Sequence, residues 1–241
     1  MIKTFAENGI NITEEQAEKF QTYYGLLTEW NQKINLTAIT EYEEVVRKHF
    51  IDSALLLRCE KFTGRKGKRV LDVGTGAGFP GIVLSILCPE ASFVLLDSLK
   101  KRVDFLNLVI EKLQLKNGQV FHGRAEDFGR QKDFRNQFDF VVSRAVAELP
   151  LLLEYCIPFV REDGYFISYK GRKYKEEMEM ADNAFEKLSC HFENEEIFSL
   201  KGEQLSQGDE QDKRVLLFIQ NEKDTDSKYP RRTGKPKKNP L

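Results

Sequence analysis

The segment from Val70 to Leu84, VLDVGTGAGFPGIVL, constrains the fold of this chain more than any other. A short apolar run ends abruptly in glycines, and a second apolar run opens at Pro80, which predicts a strand, a tight loop and a helix. Glycine at positions 74, 76 and 78 permits positive φ and places no Cβ between the loop and a ligand. Because the first N–H groups of a helix have no partner within it, the loop predicts a site for a nucleotide-like cofactor.

Composition limits the classes of protein to which this chain can belong. A length of 241 residues with 41% hydrophobic content suits one large globular domain, or one domain with an appendage. There is no 18-residue apolar run and no signal-peptide pattern, so we expect a cytoplasmic protein without membrane contact. The four cysteines have no CxxC spacing, which argues against a metal site and indicates reduced core residues.

The net charge of −1 conceals an uneven distribution. Six basic residues and no acidic ones lie between Lys228 and Leu241, so the rest of the chain carries 31 basic against 38 acidic residues, a balance of −7. The tail also contains Pro230, Pro236 and Pro240, and we expect it to be extended or disordered on its own. Its charge indicates an RNA-binding arm, although a solubilising segment has the same composition.

The pattern of apolar residues divides the chain into three segments: a helical extension over residues 1–62, an α/β domain over 63–221 and the basic tail over 222–241. Capping boxes at 13–16 and 40–43 open two predicted helices of the extension. Strands are then predicted at 69–73, 92–97, 119–122, 138–143 and 164–169, and helices at 80–88, 99–114, 148–160 and 173–188. Two final strand-like runs, 190–198 and 213–220, are joined by the polar stretch 201–212 and predict an antiparallel hairpin. The prediction is an α/β fold with a seven-stranded, mostly parallel sheet.

In a parallel sheet, ligands bind at the carboxyl ends of the strands. Asp97 ends the second predicted strand, 21 residues after Gly76, where a carboxylate can accept both ribose hydroxyls; a solvated residue or a helix N-cap is the alternative. Glu126 and Asp127 follow the third strand and are candidates for the adenine amino group or for capping a short helix. Phe79 is either an apolar wall of the site or a core residue.

The glycine pattern alone leaves two cofactor classes open. Residues 76–81 also satisfy GxGxxG, the dinucleotide fingerprint, and both classes of cofactor contain a ribose. Three features favour S-adenosylmethionine. Asp72 precedes Gly74 by two residues and can reach the amino-acid end of that cofactor, the segment 123–127 suits an adenine, and the closing hairpin adds an antiparallel pair to five parallel strands.

These features resemble a class I methyltransferase, and a wider set of motifs resembles the bacterial 16S rRNA guanine-N7 methyltransferase family called RsmG or GidB. The motifs are Leu71–Ile82, Trp30–Thr37, His49–Ser53, Gly123–Glu126, Ser143–Val146 and Pro230–Pro236, and they extend over nearly the whole chain. The resemblance implies S-adenosylmethionine as the methyl donor and 16S rRNA, within the small ribosomal subunit or an assembly particle, as the partner. Its cofactor contacts fall on Gly74, Phe79, Asp97, Ser98, Leu99, Ala125, Glu126 and Arg144. We expect a monomer.

The residues after the fourth predicted strand agree with a guanine N7 acceptor. They read Ser143-Arg-Ala-Val-Ala-Glu148, without the Asn/Asp-Pro-Pro-aromatic box used on exocyclic nitrogens, and no cysteine lies at a strand end. Guanine N7 carries a lone pair and needs no catalytic base. We expect Arg144 to contact cofactor or RNA, with an ion pair to Glu148 or Asp97 as the alternative, and Ser143 to orient the base.

Two further interpretations concern residues outside the strand ends. His49 and Asp52 lie one helical turn apart and either support the site or tie the helical extension to the sheet. Other function classes also stay open on the residues alone: a methyltransferase acting on a small molecule or protein, a dinucleotide-dependent oxidoreductase, and a non-catalytic RNA-binding assembly factor.

Overall fold

The computed structural model describes residues 1–63, 65–201 and 212–241. Seven strands form one sheet. They are β1 (Arg69–Val73), β2 (Ser92–Asp97), β3 (Gly118–His122), β4 (Phe138–Arg144), β5 (Val160–Lys170), β6 (Cys190–Ser199) and β7 (Lys213–Asn221). The predicted strands are confirmed, most of them to within one residue, although β5 begins four residues earlier than expected.

The strand order is β3-β2-β1-β4-β5-β7-β6. The first five strands are parallel, whereas β7 pairs antiparallel with both β5 and β6. The predicted hairpin at the sheet edge is therefore confirmed, and the stretch proposed to join its strands lies almost wholly outside the described residues. Chain order reverses at β1 and β4, which places the expected binding crevice at their carboxyl ends. A dinucleotide-binding sheet has the order 3-2-1-4-5-6, so the insertion of β7 before β6 argues against the oxidoreductase alternative.

Helices cover both faces of the sheet. The extension contributes α1 (Ile2–Glu7), α2 (Glu14–Asn31), α3 (Tyr42–Val45), a π-helical segment (Val46–Ile51), α4 (Asp52–Ala54) and two 3₁₀ turns (Leu55–Arg58, Glu60–Phe62). The remainder comprises α5 (Gly81–Leu87), α6 (Lys100–Lys112), α7 (Ala125–Phe128), α8 (Leu149–Cys156), a 3₁₀ turn (Ile157–Phe159), α9 (Tyr174–Glu179), α10 (Asp182–Leu188) and α11 (Lys235–Lys238).

Two hydrophobic clusters pack on the sheet. One joins side chains of the extension, such as Phe20 and Phe50, to α5, α6 and the strands. The other packs α8 and α10 on the sheet and includes Tyr229 of the tail. Because residues 1–62 share a core with the sheet, the extension is a layer of the same folded unit, and the segment boundaries stay predictions about the sequence.

One local prediction is confirmed by the structure, and three others differ from it. The capping box at Thr13 is formed, with its hydroxyl accepting from Gln16 N. The second box is not, because α3 starts at Tyr42 after Glu41, which makes no side-chain cap. The helix expected over 173–188 is divided into α9 and α10 around Met180. The prediction for the tail is corrected as well. All of its residues are described, and the tail is docked on the body and contains α11.

The cysteines lie in the core, as the sequence analysis expected. All four cysteines are buried free thiols, and burial raises the pKa of Cys59 and Cys88 to about 12. Within the parts of the chain that the structure describes, no helix is both long and apolar enough to cross a membrane.

Candidate active site

Two adjoining cavities lie at the carboxyl ends of β1, β2 and β4. The loop-side cavity, about 450 Å³, is lined by the glycine loop, the end of β2 and the end of β4. The arm-side cavity, about 650 Å³, is lined by the start of α7, the start of α8 and the last residues of the tail. Gly74, Ser98 and Val146 line both cavities, so the two form one continuous crevice at the switch in strand order.

The glycine loop combines two kinds of glycine. Gly74 and Gly76 have φ of +72° and +63° and line the loop-side cavity, and at Gly76 the missing Cβ leaves room for a ligand. A Cβ on Gly74 would lie 2.6 Å from Val146 Cγ2, because that side chain covers the loop from the β4 side. Gly78, with φ +102°, faces the interior: its Cβ would lie 2.6 Å from both Ile82 and the Tyr23 hydroxyl.

Asp97 connects the glycine loop to the end of β2. Its Oδ2 accepts from Gly76 N at 2.9 Å and its Oδ1 accepts from Leu99 N at 2.8 Å. The carboxylate is 3% exposed and lines the loop-side cavity together with Ser98 and Leu99. The cap-like contact to Leu99 is therefore present. Each carboxylate oxygen has a further lone pair with which to accept a ribose hydroxyl, so the two roles are compatible.

The short helix α7 carries the second predicted acidic position. Ala125 and Glu126 line the arm-side cavity, next to Arg124. The Glu126 side chain is buried, and its Oε1 accepts from Gly234 N of the tail at 3.2 Å. The residues predicted to meet an adenine thus lie in a wall that the tail helps to build.

Arg144 lies over the ring of Phe79 and is held by the helical extension. Its guanidinium carbon is 5.1 Å from the Phe79 ring centroid, and His49 stacks on the same ring at 4.6 Å. The His49 ring nitrogens lie 2.8 Å from Thr37 Oγ1 and 3.4 Å from Arg144 Nη2. Burial, and secondarily the charge of Arg144, lower the pKa of His49 to about 3, so this imidazole is neutral at physiological pH.

Asp52 is the ion-pair partner of Arg144. Its Oδ2 accepts from Arg144 Nη1 at 2.6 Å, and its Oδ1 lies 3.1 Å from Arg214 Nε. The side chain of Asp52 is only 8% exposed, so the pair is shielded from water. The ion pair of Arg144 is therefore with Asp52, and not with Glu148 or Asp97, the two partners named in the alternative interpretation. The His49–Asp52 turn both ties the extension to the sheet and orients Arg144, which joins the two interpretations made from the sequence.

Nine of the predicted site residues line the crevice: Gly74, Gly76, Phe79, Asp97, Ser98, Leu99, Ala125, Glu126 and Arg144. The structure does not bring the other three to it. Asp72 is buried beneath the loop, where its Oδ2 accepts from Gly81 N at 2.8 Å and burial raises its pKa to about 6. Gly78 faces the core, and Ser143 is buried with its hydroxyl donating to Val73 O at 2.9 Å. Ser143 therefore joins β4 to β1 and does not reach a base.

Sequence reasoning missed three contributors. Tyr23 donates its hydroxyl to Ala77 O at 2.5 Å and so supports the loop from α2, but in the sequence it is one more aromatic residue of an amphipathic helix. Val146 covers Gly74, and nothing in the motif Ser143–Val146 indicates that contact. The tail lines the cavity through Lys237, Pro240 and Leu241, of which the sequence signals only charge and proline content.

The crevice fits an adenosyl cofactor. Gly76 leaves open space above the loop, Asp97 presents a carboxylate at the tip of β2, and both apolar and charged side chains line the α7 end. Together with the strand order, these features define a class I S-adenosylmethionine-dependent methyltransferase.

Solved structures share this fold. A SAM-dependent methyltransferase from Aquifex aeolicus matches 80% of this chain and 98% of its own, with TM-score 0.54 and 18% identity.

A SAM-dependent O-methyltransferase from Thermotoga maritima matches 81% of this chain and 71% of its own, with TM-score 0.54 and 13% identity. The chain belongs to the GidB family, described as rRNA small subunit methyltransferase G, whose pattern matches residues 16–207. A ribosomal RNA small subunit methyltransferase G of Lachnoclostridium phytofermentans is 49% identical over 97% of this chain and 93% of its own length. The protein of the same name from Oceanobacillus iheyensis is 42% identical over 100% and 97%.

Proposed function

We propose that this protein transfers a methyl group from S-adenosylmethionine to N7 of one guanine in 16S ribosomal RNA. The observation that carries the proposal is the continuous crevice at the ends of β1, β2 and β4, in a chain of the rRNA small subunit methyltransferase G family. When bound, S-adenosylmethionine supplies an electrophilic methyl group on a sulfonium centre.

The residues around the crevice divide the binding of that cofactor between them. Asp97 accepts the ribose hydroxyls while it holds Gly76 and Leu99 in place. The turn at Ala125 and Glu126 forms the adenine end. Gly74 and Phe79 line the other end, where the apolar ring limits the entry of water.

We place the guanine in a third cavity, about 420 Å³, that shares His49, Arg144 and Ala145 with the loop-side cavity. It lies at the ends of β4 and β5, on the side of the crevice away from α7. Ala145 at its edge has a positive φ of +56°, a strained conformation of the kind that functional sites retain. A base bound there would present N7 towards the crevice, and alignment of the two reactants is the main contribution required of the protein.

The charges around this position suit an acceptor that needs no general base. Guanine N7 attacks through its own lone pair, and the neutral His49 is engaged by Thr37 and Arg144. The product base is a cation, which an unpaired positive charge would destabilise. Asp52 lies 2.6 Å from Arg144 and 3.1 Å from Arg214, so its carboxylate offsets part of the positive charge that these two side chains bring to the cavity.

The partner that fits the body of the protein is rRNA within the small ribosomal subunit or an assembly particle. Outside residues 228–241 the chain has an excess of seven acidic residues, which disfavours strong binding to naked RNA. Ribosomal proteins would supply basic surface to such a partner. We propose that the protein acts in the cytoplasm as a monomer.

The deciding experiment maps methylated positions in 16S rRNA from cells with and without this protein. We expect one N7-methylguanine to disappear in its absence and to return when purified protein and S-adenosylmethionine are added to small subunits from the deficient cells. Unchanged rRNA methylation, or a product at another base atom, would contradict the proposal.

A matched pair of variants tests the binding assignment. We expect Asp97→Ala to weaken S-adenosylhomocysteine binding tenfold or more, because charged hydrogen bonds of this kind contribute about 1.5–3 kcal/mol. Asp104→Ala, which changes an exposed carboxylate of α6, is expected to bind as the unmodified protein does. Isothermal calorimetry measures the affinity of both variants for S-adenosylhomocysteine, and circular dichroism verifies that they are folded. Wild-type affinity in Asp97→Ala would remove the ribose assignment.

A further inference from the structure

The carboxyl-terminal arm, residues 225–241, is fixed to the body by a buried ion pair. Glu154 of α8 has no exposed surface, and Arg231 binds both of its carboxylate oxygens, with Nη2 at 2.6 Å from Oε2 and Nε at 2.9 Å from Oε1. The backbone N of Arg231 donates to Oε1 as well, at 2.7 Å. A carboxylate this deeply buried depends on its partner, so docking of the arm is part of the folded state.

Two further arginines of the body bind backbone carbonyls of the arm. Arg135 donates to Thr225 O and to Tyr229 O, the latter at 2.7 Å, and Arg130 donates to Pro230 O at 2.6 Å. Tyr229 is buried in the cluster beneath α8. These contacts fix the path of the chain before it reaches the crevice.

The arm then contacts the adenine end of the crevice directly. Gly234 N donates to Glu126 Oε1, and Thr233 Oγ1 donates to Asp127 Oδ1 at 2.8 Å. Gly234, with φ +82°, turns the chain into α11. The residues that line the arm-side cavity from this segment are Lys237, Pro240 and Leu241, and Ser98 and the start of α7 line the same cavity.

We propose that Pro240 and Leu241 form the outer wall of the adenosine subsite and that the arm retains the adenosine half of S-adenosyl compounds. This inference rests on the proposed function, since it assumes that the crevice takes that cofactor. The ligand chemistry follows from the lining. Pro240 and Leu241 supply apolar surface to a flat heteroaromatic base, and the Gly234–Glu126 contact holds the α7 turn against the other side. The arm is therefore a component of the cofactor site and not solely an RNA-binding segment.

The experiment compares the double variant Pro240→Ala/Leu241→Ala with Lys238→Ala, an exposed neighbour that does not line the cavity. Point variants are preferred to removal of residues 228–241, because that deletion would leave Glu154 buried without its partner. Calorimetry measures S-adenosylhomocysteine and 5′-methylthioadenosine, which has the adenosine half without the amino-acid group. For the double variant we expect affinity for both ligands to fall about tenfold, and for Lys238→Ala we expect no change.

The possible results separate this inference from the proposal on which it rests. If the unmodified protein binds neither ligand, the cofactor site itself is wrong. If the unmodified protein binds both and Asp97→Ala weakens them, but the double variant binds both normally, the site stands and the wall is wrong. A loss confined to S-adenosylhomocysteine, or a loss of rRNA affinity without any loss of ligand affinity, also overturns the inference.

Discussion

Within the glycine loop, Gly76 and Gly78 are required for different physical reasons. A Cβ at position 78 would meet Ile82 and the Tyr23 hydroxyl at 2.6 Å, in the interior and at φ +102°. At position 76 the nearest atom to a Cβ is Gly74 O, at 3.9 Å, and only the positive φ opposes a side chain. Both positions are glycine in the motif, but Gly78 permits close packing in the interior, whereas Gly76 leaves the crevice open.

Alanine substitutions are expected to separate these two demands. Gly78→Ala combines overpacking with backbone strain and should lower the free energy of unfolding by about 3 kcal/mol or more. Gly76→Ala should lower it by about 1 kcal/mol. Urea denaturation of the two variants measures the difference. Equal losses would contradict the assignment of Gly78 to the core.

His49 makes stability depend on pH. Its pKa is 6.5 in an unperturbed chain and about 3 in the fold, mainly because of burial. Between these values the unfolded chain binds a proton that the folded protein does not, so the stabilisation present above pH 6.5 is lost as the pH falls towards 3.

His49→Gln retains a polar partner for Thr37 and removes the titration. We expect the stability of the unmodified protein relative to this variant to fall by about 2 kcal/mol between pH 7 and pH 5. Chemical denaturation of both proteins at pH 7 and pH 5 measures this difference in stability. Parallel pH profiles for the two proteins would be inconsistent with a depressed pKa at His49.

At the scale of elements, α2 acts as a support for the glycine loop. Tyr23 reaches from α2 to the carbonyl of Ala77, 54 residues away, and its ring packs against Phe50 and Phe79. The extension thus contributes to the cofactor crevice without lying at a strand end. Its other contribution is the turn that carries His49 and Asp52.

Two adjacent tyrosines of α2 provide a matched test of this support. Tyr23→Phe leaves the buried Ala77 carbonyl without its donor and should cost about 1–3 kcal/mol of stability, with a several-fold loss of S-adenosylhomocysteine affinity. The Tyr24 hydroxyl donates to Thr40 O in an exposed position, so Tyr24→Phe should change stability by less than about 0.5 kcal/mol. Urea denaturation and calorimetry measure the two quantities. An unchanged affinity in Tyr23→Phe would argue that the loop needs no support from α2.

For the whole molecule, the distribution of charge bears on the choice of substrate. The acidic body repels a bare phosphate backbone, and the arm that carries the basic residues is docked beside the crevice. Small-subunit particles should therefore be methylated faster than deproteinised 16S rRNA at equal concentration and physiological salt. Initial rates of methyl transfer measure the comparison. Equal rates on the two substrates would show that ribosomal proteins do not contribute to recognition.

Much of the fold could be predicted because its signals are local. Apolar runs bounded by glycine or polar residues marked the seven strands, and the stripe along residues 99–114 marked α6. Where a signal was weak, the prediction failed: the second capping box lay one residue from the true helix start, and the helix over 173–188 was divided at Met180. For the site, the strand-end rule found Asp97, Glu126 and Arg144, because parallel strands of one sheet end at a common edge.

Contacts between distant parts of the chain were beyond the sequence alone. Arg144 pairs with Asp52, 92 residues away, and Arg231 pairs with Glu154, 77 residues away. Such pairings depend on how helices pack on the sheet, and no periodicity or spacing in the sequence encodes them. By itself the sequence determined the strand–loop–helix cradle, the alternation that builds the sheet and the acidic strand tip, because these depend on neighbouring residues. Tertiary structure alone decided that Gly78, Asp72 and Ser143 face the interior, that the helical extension holds Arg144, and that the basic arm closes one side of the crevice, because each depends on which surfaces come together when the whole chain packs.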